Sequence, residues 1–301
     1  MPVKKPDLKL IGALSGVAIL WGTTYLGIRI AVETIPGWYV ASIRQFIAAF
    51  ILFFFLLYSK QLRWVSFKYF WRQMLLSLLM IVMANGLTTL AEETIPSGLT
   101  ALVNSASPLL VFIGSALMGY QKPSLKAFIG ILLGLVGIVF LFRDGVAGLL
   151  NPEYRHGIIL LSMAISGWAI GTIYAKRTHT SSEGIFLDLF YQFSMAGIFQ
   201  FILALIFSGD AAVSTWSGES IAATIYLAVL GSIAGYFCYN YALKKVSASD
   251  VSILTYFNTV IALFLGWLVL NEPITQDIVI ASALIILGVF ITNYQPKKQI
   301  T

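Results

Sequence analysis

Polar and aromatic side chains that could bind a small molecule lie inside long apolar runs of this sequence. In the first run, Trp21, Thr24 and Tyr25 fall on nearly one face of a helix, because residues three and four apart are neighbours there. Aromatic rings bind apolar or cationic molecules by stacking and by cation–π contact. This face is therefore either the wall of a binding cavity or a surface for aromatic packing between helices.

Further polar candidates lie at depth in later runs. Asn104 and Ser107 lie just before Pro108, whose ring frees a backbone carbonyl one turn earlier, near Asn104. Such a carbonyl, with amide and hydroxyl groups, would form either a neutral polar pocket or hydrogen bonds between helices. For Tyr236, Tyr239 and Tyr256, in the eighth and ninth runs, the competing interpretation is a belt of aromatic residues at the membrane interface. The other candidates for the cavity wall are Asn85, Trp168, Tyr236, Tyr239, Asn240, Tyr256 and Asn258.

Charged residues inside the runs are few. Arg44 lies roughly 9 Å into the second run, where it could bind a substrate carboxylate in an outer vestibule or lock the bundle at a helix end. Arg29 precedes Glu33 by four residues, which predicts an ion pair within one helix. Asp188 could carry a coupling proton, because burial raises the pKa of a membrane carboxylate. The alternative for Asp188 is simple exposure to cytoplasmic water.

Residues for enzyme or metal chemistry are scarce. His156, His179 and Cys238 are the only histidines and the only cysteine, and all three are isolated. The sequence contains no zinc-protease, nucleophile-elbow or Walker motif. We therefore expect no enzymatic activity, no metal and no cofactor. A membrane-embedded enzyme would need acids, histidines or cysteines grouped at one interface.

The runs that carry these residues are long enough to span a lipid bilayer. Of the 301 residues, 58% are hydrophobic and 11% charged, and the mean hydropathy is +0.87. A spanning helix needs about 20 mostly apolar residues, and continuous apolar runs indicate helices rather than barrel strands. We predict an all-α integral membrane protein with ten transmembrane helices, at 10–32, 38–58, 72–91, 97–119, 124–142, 156–175, 184–207, 219–243, 248–270 and 275–294.

Basic residues mark one side of this arrangement. Fifteen of the 19 Lys and Arg residues fall in the termini and in every second connection. Positive residues accumulate on the cytoplasmic side, which predicts a multi-pass protein of the cell (inner) membrane with both termini in the cytoplasm. The same placement accounts for the net charge of +6 and argues against nucleic acid as a partner. The expected partners are membrane lipid and a small-molecule substrate, with the chain a monomer or a homodimer.

The sequence also resembles itself at a fixed offset. A shift of 147 residues places Trp21 on Trp168, and other matches follow in the same order along the chain. We predict two five-span repeats, residues 1–147 and 148–301. Because five is an odd number, the second repeat must be inverted in the membrane. Inverted repeats around a shared central cavity are the architecture of secondary transporters.

Four segments resemble the EamA-type proteins of the drug/metabolite transporter superfamily. They are the Trp-Gly-x-x-Tyr opening at 21–25, Arg-Gln-Phe at 44–46, the segment 242–248 (ALKKVSA) and the segment 266–273 (GWLVLNEP). One departure is Thr259, which stands where this family often has a proline in the ninth span. The resemblance covers the whole chain and both repeats.

The resemblance implies a small-metabolite carrier, often an exporter of amino acids or related compounds. We expect alternating access to a cavity lined by the first, third, fourth, sixth, eighth and ninth spans. Few charges at mid-depth favour amphipathic or aromatic molecules over phosphorylated ones. The alternatives are a passive facilitator or uniporter of the same fold, a membrane-embedded enzyme and a scaffold that transports nothing.

Overall fold

The computed structural model is all-α, and it describes residues 7–120, 125–141, 152–178, 183–209, 212–252 and 254–293. Within those ranges there is no β-strand. The main helices are α1 (Leu8–Ala31), α2 (Gly37–Tyr58), α3 (Phe67–Ala91), α4 (Ser97–Leu117), α5 (Leu125–Leu141), α6 (Pro152–Thr178), α7 (Ile185–Phe207), α8 (Gly218–Lys245), α9 (Ala248–Ser252 and Leu254–Leu270) and α10 (Gln276–Asn293).

Eight of these helices are long and apolar enough to cross a bilayer: α1 to α4 and α6 to α9. This confirms the prediction of an all-α fold with several membrane-spanning helices. Within the described residues, the apolar stretches of α5 (17 residues) and α10 (Gln276–Gly288) are shorter than those of the other eight helices. Large apolar side chains such as Phe50, Ile206 and Phe264 are exposed on the outside of the bundle, as a lipid-facing surface requires.

Three helices depart from regular α-geometry near their middle. Helix α4 is interrupted between Asn104 and Ser107, directly before Pro108, whose missing N–H cannot bond the carbonyl one turn earlier. Helix α3 contains a π-helical segment at Ser77–Gly86, and α8 contains one at Leu227–Ala234. Such segments widen the turn and change where side chains point, and they often occur at functional sites.

The helices pair in a regular pattern. Helix α2 packs along α7, and α5 packs along α10. Helix α1 contacts α8 and α9, while α6 contacts α3 and α4. The largest buried cluster includes Leu52, Leu189 and Phe193, and it joins residues from both halves of the chain. The middle of the bundle is therefore built jointly by the two halves.

Close packing of α5 against α10 depends on glycine. A Cβ added to Gly288 would lie 2.5 Å from the Gly130 carbonyl oxygen and 2.7 Å from the Gly134 backbone nitrogen. Because backbone atoms cannot rotate aside, Gly288→Ala should destabilise the fold by about 1–3 kcal/mol, as overpacking does. Thermal unfolding in detergent measures this, with Gly12→Ala as control, since its Cβ would meet nothing within 4 Å. Equal melting temperatures for the two variants would contradict the prediction.

Candidate functional site

A central cavity lies where the two halves of the bundle meet. Its volume is about 100 Å³. Its walls come from α1, α3, α4, α6, α8 and α9, as the sequence predicted, and also from α2 through Arg44. Ten of the thirteen predicted binding residues line it: Trp21, Thr24, Tyr25, Arg44, Asn85, Asn104, Ser107, Trp168, Tyr236 and Asn258.

One wall of the cavity is aromatic. The ring of Trp21 meets that of Trp168 edge-on at 5.2 Å between centroids, and that of Tyr236 at 5.3 Å. The Trp21 Nε1–H donates to the Gly231 carbonyl at 3.0 Å, which fixes the indole. The hydroxyl of Tyr236 donates to the Met80 carbonyl at 2.9 Å. The wall is therefore an apolar surface of two indoles and a phenol, in which hydrogen bonds fix Trp21 and Tyr236.

The cavity also presents neutral polar groups. The Asn104 Nδ2 donates to the Tyr25 hydroxyl at 3.3 Å. The Asn258 amide, in the orientation that satisfies it, donates to the carbonyls of Leu254 at 3.0 Å and of Ala18 at 2.9 Å. The Asn85 Oδ1 is buried and accepts no hydrogen bond among the described residues. These groups can accept and donate hydrogen bonds to a ligand without carrying charge.

Arg44 is the charged group in the cavity wall. It is 1% exposed, its Nε donates to Ser232 Oγ at 3.2 Å, and its Nη2 donates to the Leu227 carbonyl at 3.4 Å. Within the described part of the chain, Nη1 has no partner. Of the two interpretations left open for Arg44, its contacts with Ser232 and Leu227 fit the one in which it locks the bundle, and it lines the central cavity, not an outer vestibule.

Three predicted residues lie away from the cavity wall. Tyr239 is behind it, with its hydroxyl 2.7 Å from Thr172 Oγ1. The Asn240 Nδ2 donates to the Tyr236 carbonyl of its own helix at 2.8 Å. Tyr256 packs with apolar residues of α4 and α10. Since Tyr236 is 3% exposed and Tyr239 2% exposed, the alternative of an interfacial belt is wrong for both.

Asp188 lies in a buried polar cluster at the start of α7. Its carboxylate accepts from the Tyr69 hydroxyl and from Gln73 Nε2, the latter at 2.9 Å, and Arg72 Nη2 is 3.9 Å away. The Gln192 Nε2 in turn donates to Gln73 Oε1 at 2.7 Å. The alternative of simple exposure to water is therefore wrong, because Asp188 is 9% exposed. The cluster ties α3 to α7.

A second cavity, here called the vestibule, lies beyond the ends of α1 and α3. Its charged lining residues are Arg29, Glu33, Glu93 and Glu272. The Glu272 carboxylate accepts from the backbone N–H groups of residues 97 and 98, at 2.8 and 2.9 Å, and so caps the start of α4. The sequence reasoning treated Glu272 only as a motif residue and did not predict this contact with a helix 174 residues away.

Two basic residues bind carbonyls at the ends of neighbouring helices. In the Arg29 contact, Nη1 donates to the carbonyls of Glu92 at 2.5 Å and Glu93 at 3.1 Å. The predicted pair with Glu33 is wrong, because α1 ends at Ala31. In the Lys176 contact, Nζ donates to two carbonyls at the end of α8, that of Leu243 in its last turn and that of Val246 just after it, both at 2.7 Å.

Glu92 is the functional candidate that the sequence reasoning missed. It directly follows α3 and is 0% exposed, and neither of its carboxylate oxygens has a partner among the described residues. Burial raises the pKa of Glu92 well above its usual value; Glu272 adds to this, while Arg29 and Arg44 oppose it. Burial also raises the pKa of Glu93, against a lowering hydrogen bond from the Gly37 N–H. The sequence signal for this site is the pair of adjacent acids, Glu92 and Glu93, at the end of an apolar run.

Metal ligands do not form a group in the described ranges. Those residues contain no set of three or more His, Cys, Asp or Glu side chains placed to hold an ion. The cavity itself presents an aromatic wall, neutral amides and one guanidinium whose Nη1 has no partner among the described residues.

Comparison with known sequences identifies relatives along the whole chain. The model of the EamA-like transporter family matches twice, at residues 8–143 and 155–294. The uncharacterized inner membrane transporter YedA of Escherichia coli (strain K12) is 32% identical over 298 residues, which cover 96% of this chain and 94% of that protein. The uncharacterized transporter YoaV of Bacillus subtilis (strain 168) is 23% identical over 287 residues, covering 95% and 97%.

A solved crystal structure has the same fold. It superposes with a TM-score of 0.69, covers 93% of this chain and 96% of that chain, and shares 16% sequence identity. Together with the apolar helices and the two family matches, these relatives identify a multi-pass membrane protein. The chain belongs to the EamA-like transporter family.

Proposed function

We propose that the protein is a secondary transporter that moves a small amphipathic metabolite across the cytoplasmic membrane by alternating access. The observation that carries this proposal is the central cavity, whose walls combine an indole surface with neutral amides and with the Arg44 Nη1, which has no partner in the described part of the chain. An amino acid or a related carboxylate with an apolar side chain matches this set. Export is the expected direction.

We further propose that the fold consists of ten spans in two inverted five-helix repeats. If each helix of the first half corresponds to the helix five places later, the α1–α9 contact corresponds to α6–α4, and the α1–α8 contact corresponds to α6–α3. All four of these contacts are present. Helices α2 with α7 and α5 with α10 pair with their own counterparts. The π-helical segments lie in the third helix of each half, at Ser77–Gly86 and Leu227–Ala234. These correspondences support a pseudo-two-fold axis through the cavity.

The Arg29 and Lys176 contacts support inversion. The two residues are 147 positions apart, the offset of the repeat. Each lies near the end of the first helix of its half and binds carbonyls at the end of the third helix. If the positive-inside rule places both termini in the cytoplasm, the Arg29 contact closes the outer end of the cavity and the Lys176 contact closes the inner end. Breaking one while keeping the other gives alternating access.

A passive facilitator with the same cavity is the alternative within transport. For coupled transport, Asp188 stays a candidate proton carrier, and its cluster with Tyr69, Gln73 and Arg72 makes a structural role the competing interpretation. Uptake into proteoliposomes with and without a proton gradient separates the two modes. If Asp188→Asn leaves gradient-driven transport unchanged, Asp188 is not the carrier. We propose no enzymatic activity.

A thermal-shift screen of the purified protein tests the proposed substrate class. Ligands that bind the folded state raise stability by mass action, by about 2.7 kcal/mol at a hundredfold excess over the dissociation constant. We expect amino acids with aromatic side chains to stabilise the protein more than amines or nucleosides do. Stabilisation by nucleosides alone would overturn the substrate class, and the absence of any stabilising small molecule would favour a scaffold.

A further inference from the structure

We propose that the Glu92 carboxyl group is a proton-binding site that is coupled to the binding of a substrate carboxylate at Arg44. This inference rests on the proposed function, because it uses the same cavity and the same substrate class. It assigns the coupling proton to the junction after α3 instead of to Asp188 in α7.

The first observation is the environment of the Glu92 side chain. The residue is 0% exposed, and both carboxylate oxygens lack a hydrogen-bond partner among the described residues. A buried carboxylate without hydrogen bonds is far costlier than a buried neutral acid. By contrast, Asp188 has two hydrogen-bond donors that stabilise its charged form. Of these two buried acids, Glu92 is the one whose surroundings favour holding a proton.

The second observation is the position of Glu92 between the two cavities. Thr88, one turn earlier on α3, lines the central cavity, and Glu93 lines the vestibule. The Glu92 backbone carbonyl also accepts a hydrogen bond from Arg29 Nη1, which is part of the Arg29 contact. A proton that reaches Glu92 from vestibule water would therefore arrive at the wall of the binding cavity and at the contact that closes it.

Charged and titratable groups on the neighbouring elements set the balance of the site. Arg29 of α1 and Arg44 of α2 favour the carboxylate form, and Glu272, after α9, disfavours it. Tyr25 of α1 also lies within electrostatic reach. Glu93 follows Glu92 in the chain, and the electrostatic effect of His156 of α6 lowers the pKa of Glu93. Burial and Glu272 thus favour the neutral acid, Arg29 and Arg44 oppose them, and a change of charge at Arg44 shifts the protonation of Glu92.

A substrate carboxylate at Arg44 would be that change of charge. It would neutralise the guanidinium that favours ionised Glu92, and it would also repel the Glu92 carboxylate. Glu92 would then take up a proton from vestibule water to become a neutral carboxylic acid, with the remaining hydroxide neutralised by buffer. Binding of the anion and binding of the proton would support each other, as linkage requires. The proton and the substrate would therefore move in the same direction, so an inward proton gradient would drive uptake, and export would require an outward substrate gradient that exceeds it.

Infrared spectroscopy of the purified full-length protein tests the protonation itself, without any ligand. We expect a titrating carboxylic-acid band, with a midpoint above the ordinary glutamate range, that is absent in Glu92→Gln. The band should persist in Glu33→Gln, which removes an exposed vestibule carboxylate and so matches the change in charge. If Glu92→Gln does not fold, Glu92→Asp should keep the band and shift its midpoint. A band unchanged in Glu92→Gln, or unshifted in Glu92→Asp, would overturn the inference.

Calorimetry with L-phenylalanine, in two buffers of different ionisation heat, tests the coupling. At a pH above the midpoint found by infrared spectroscopy, we expect uptake of about one proton per bound molecule in the wild type and in Glu33→Gln, with affinity falling by up to about tenfold per pH unit as the pH rises further. In Glu92→Gln, binding should continue without proton uptake. Binding without uptake in the wild type would overturn the coupling. Failure of every amino acid to bind would instead overturn the proposed function, while the infrared result would still decide the proton site.

Discussion

Arg29→Met should open the central cavity to reagents added from outside the cell, and Lys176→Met should open it to reagents added from inside. Each substitution removes a cation that donates to two carbonyls, while methionine keeps most of the apolar length. A hydrogen bond from a charged group contributes about 1.5–3 kcal/mol. Loss of one contact should therefore shift the equilibrium between closed and open forms by roughly 10- to 100-fold.

Labelling of one cysteine in the cavity measures this shift. Thr255 is a small, half-buried residue of the cavity wall, and Cys238 is the single native cysteine. Thr255→Cys combined with Cys238→Ser gives one reporter for a membrane-impermeant thiol reagent, applied to intact cells or to inverted vesicles. Lys245→Met is a matched control, because Lys245 binds Asp7 at an exposed helix end and does not close the cavity.

The two variants should have opposite effects on the sidedness of labelling. Arg29→Met should raise the rate from outside and lower it from inside, and Lys176→Met should do the reverse. If the labelling rate rose on the same side in both variants, the two contacts would stabilise the bundle without acting at opposite ends of the cavity.

Arg44→Ala should weaken the binding of carboxylates selectively. The free Nη1 is the hydrogen-bond donor that a substrate carboxylate would use, and a charge-assisted hydrogen bond in a buried site contributes about 1.5–3 kcal/mol. We expect the affinity for L-phenylalanine to fall by roughly 10- to 100-fold, while that for phenylalaninamide changes little. The expected selectivity arises because the amide carries no negative charge to pair with the guanidinium.

Ser232→Ala is the matched control for Arg44. It removes the acceptor of the Arg44 Nε at 3.2 Å and leaves Nη1 in place, so the preference for the acid over the amide should persist. If Arg44→Ala lowered the affinity for the acid and for the amide equally, the role of Arg44 would instead be to hold α2 against α8 through Leu227 and Ser232. Thermal-shift titration of both variants provides the affinities.

The sequence predicted the helices and most of the cavity wall, because both follow from short-range patterns. Apolar length sets where helices lie, and spacing of three and four residues placed Trp21, Thr24 and Tyr25 on one face. The repeat offset paired Trp21 with Trp168, and the two indoles are in contact in the folded chain. Pro108 predicted the interruption of α4 for a local reason, its missing N–H.

Contacts between distant segments were predicted poorly. Glu272 caps a helix on the other half of the chain, and Arg29 binds carbonyls after α3 instead of Glu33. Such partners depend on how helix ends meet, which helical periodicity does not specify. Glu92 was overlooked because it stands in a connection between two helices, and only the packing around that connection makes it buried.

The most direct test of inverted repeats around a shared cavity is the sidedness of two equivalent connections. Glu33 follows α1 and Glu183 precedes α7, so the two residues lie in the first connection of each half. Each is replaced by a single cysteine. In a Cys238→Ser background, an impermeant thiol reagent on intact cells should label Glu33→Cys and not Glu183→Cys, with the reverse result in inverted vesicles. Labelling of both cysteines from the same side would contradict the inversion, and alternating access through this cavity with it.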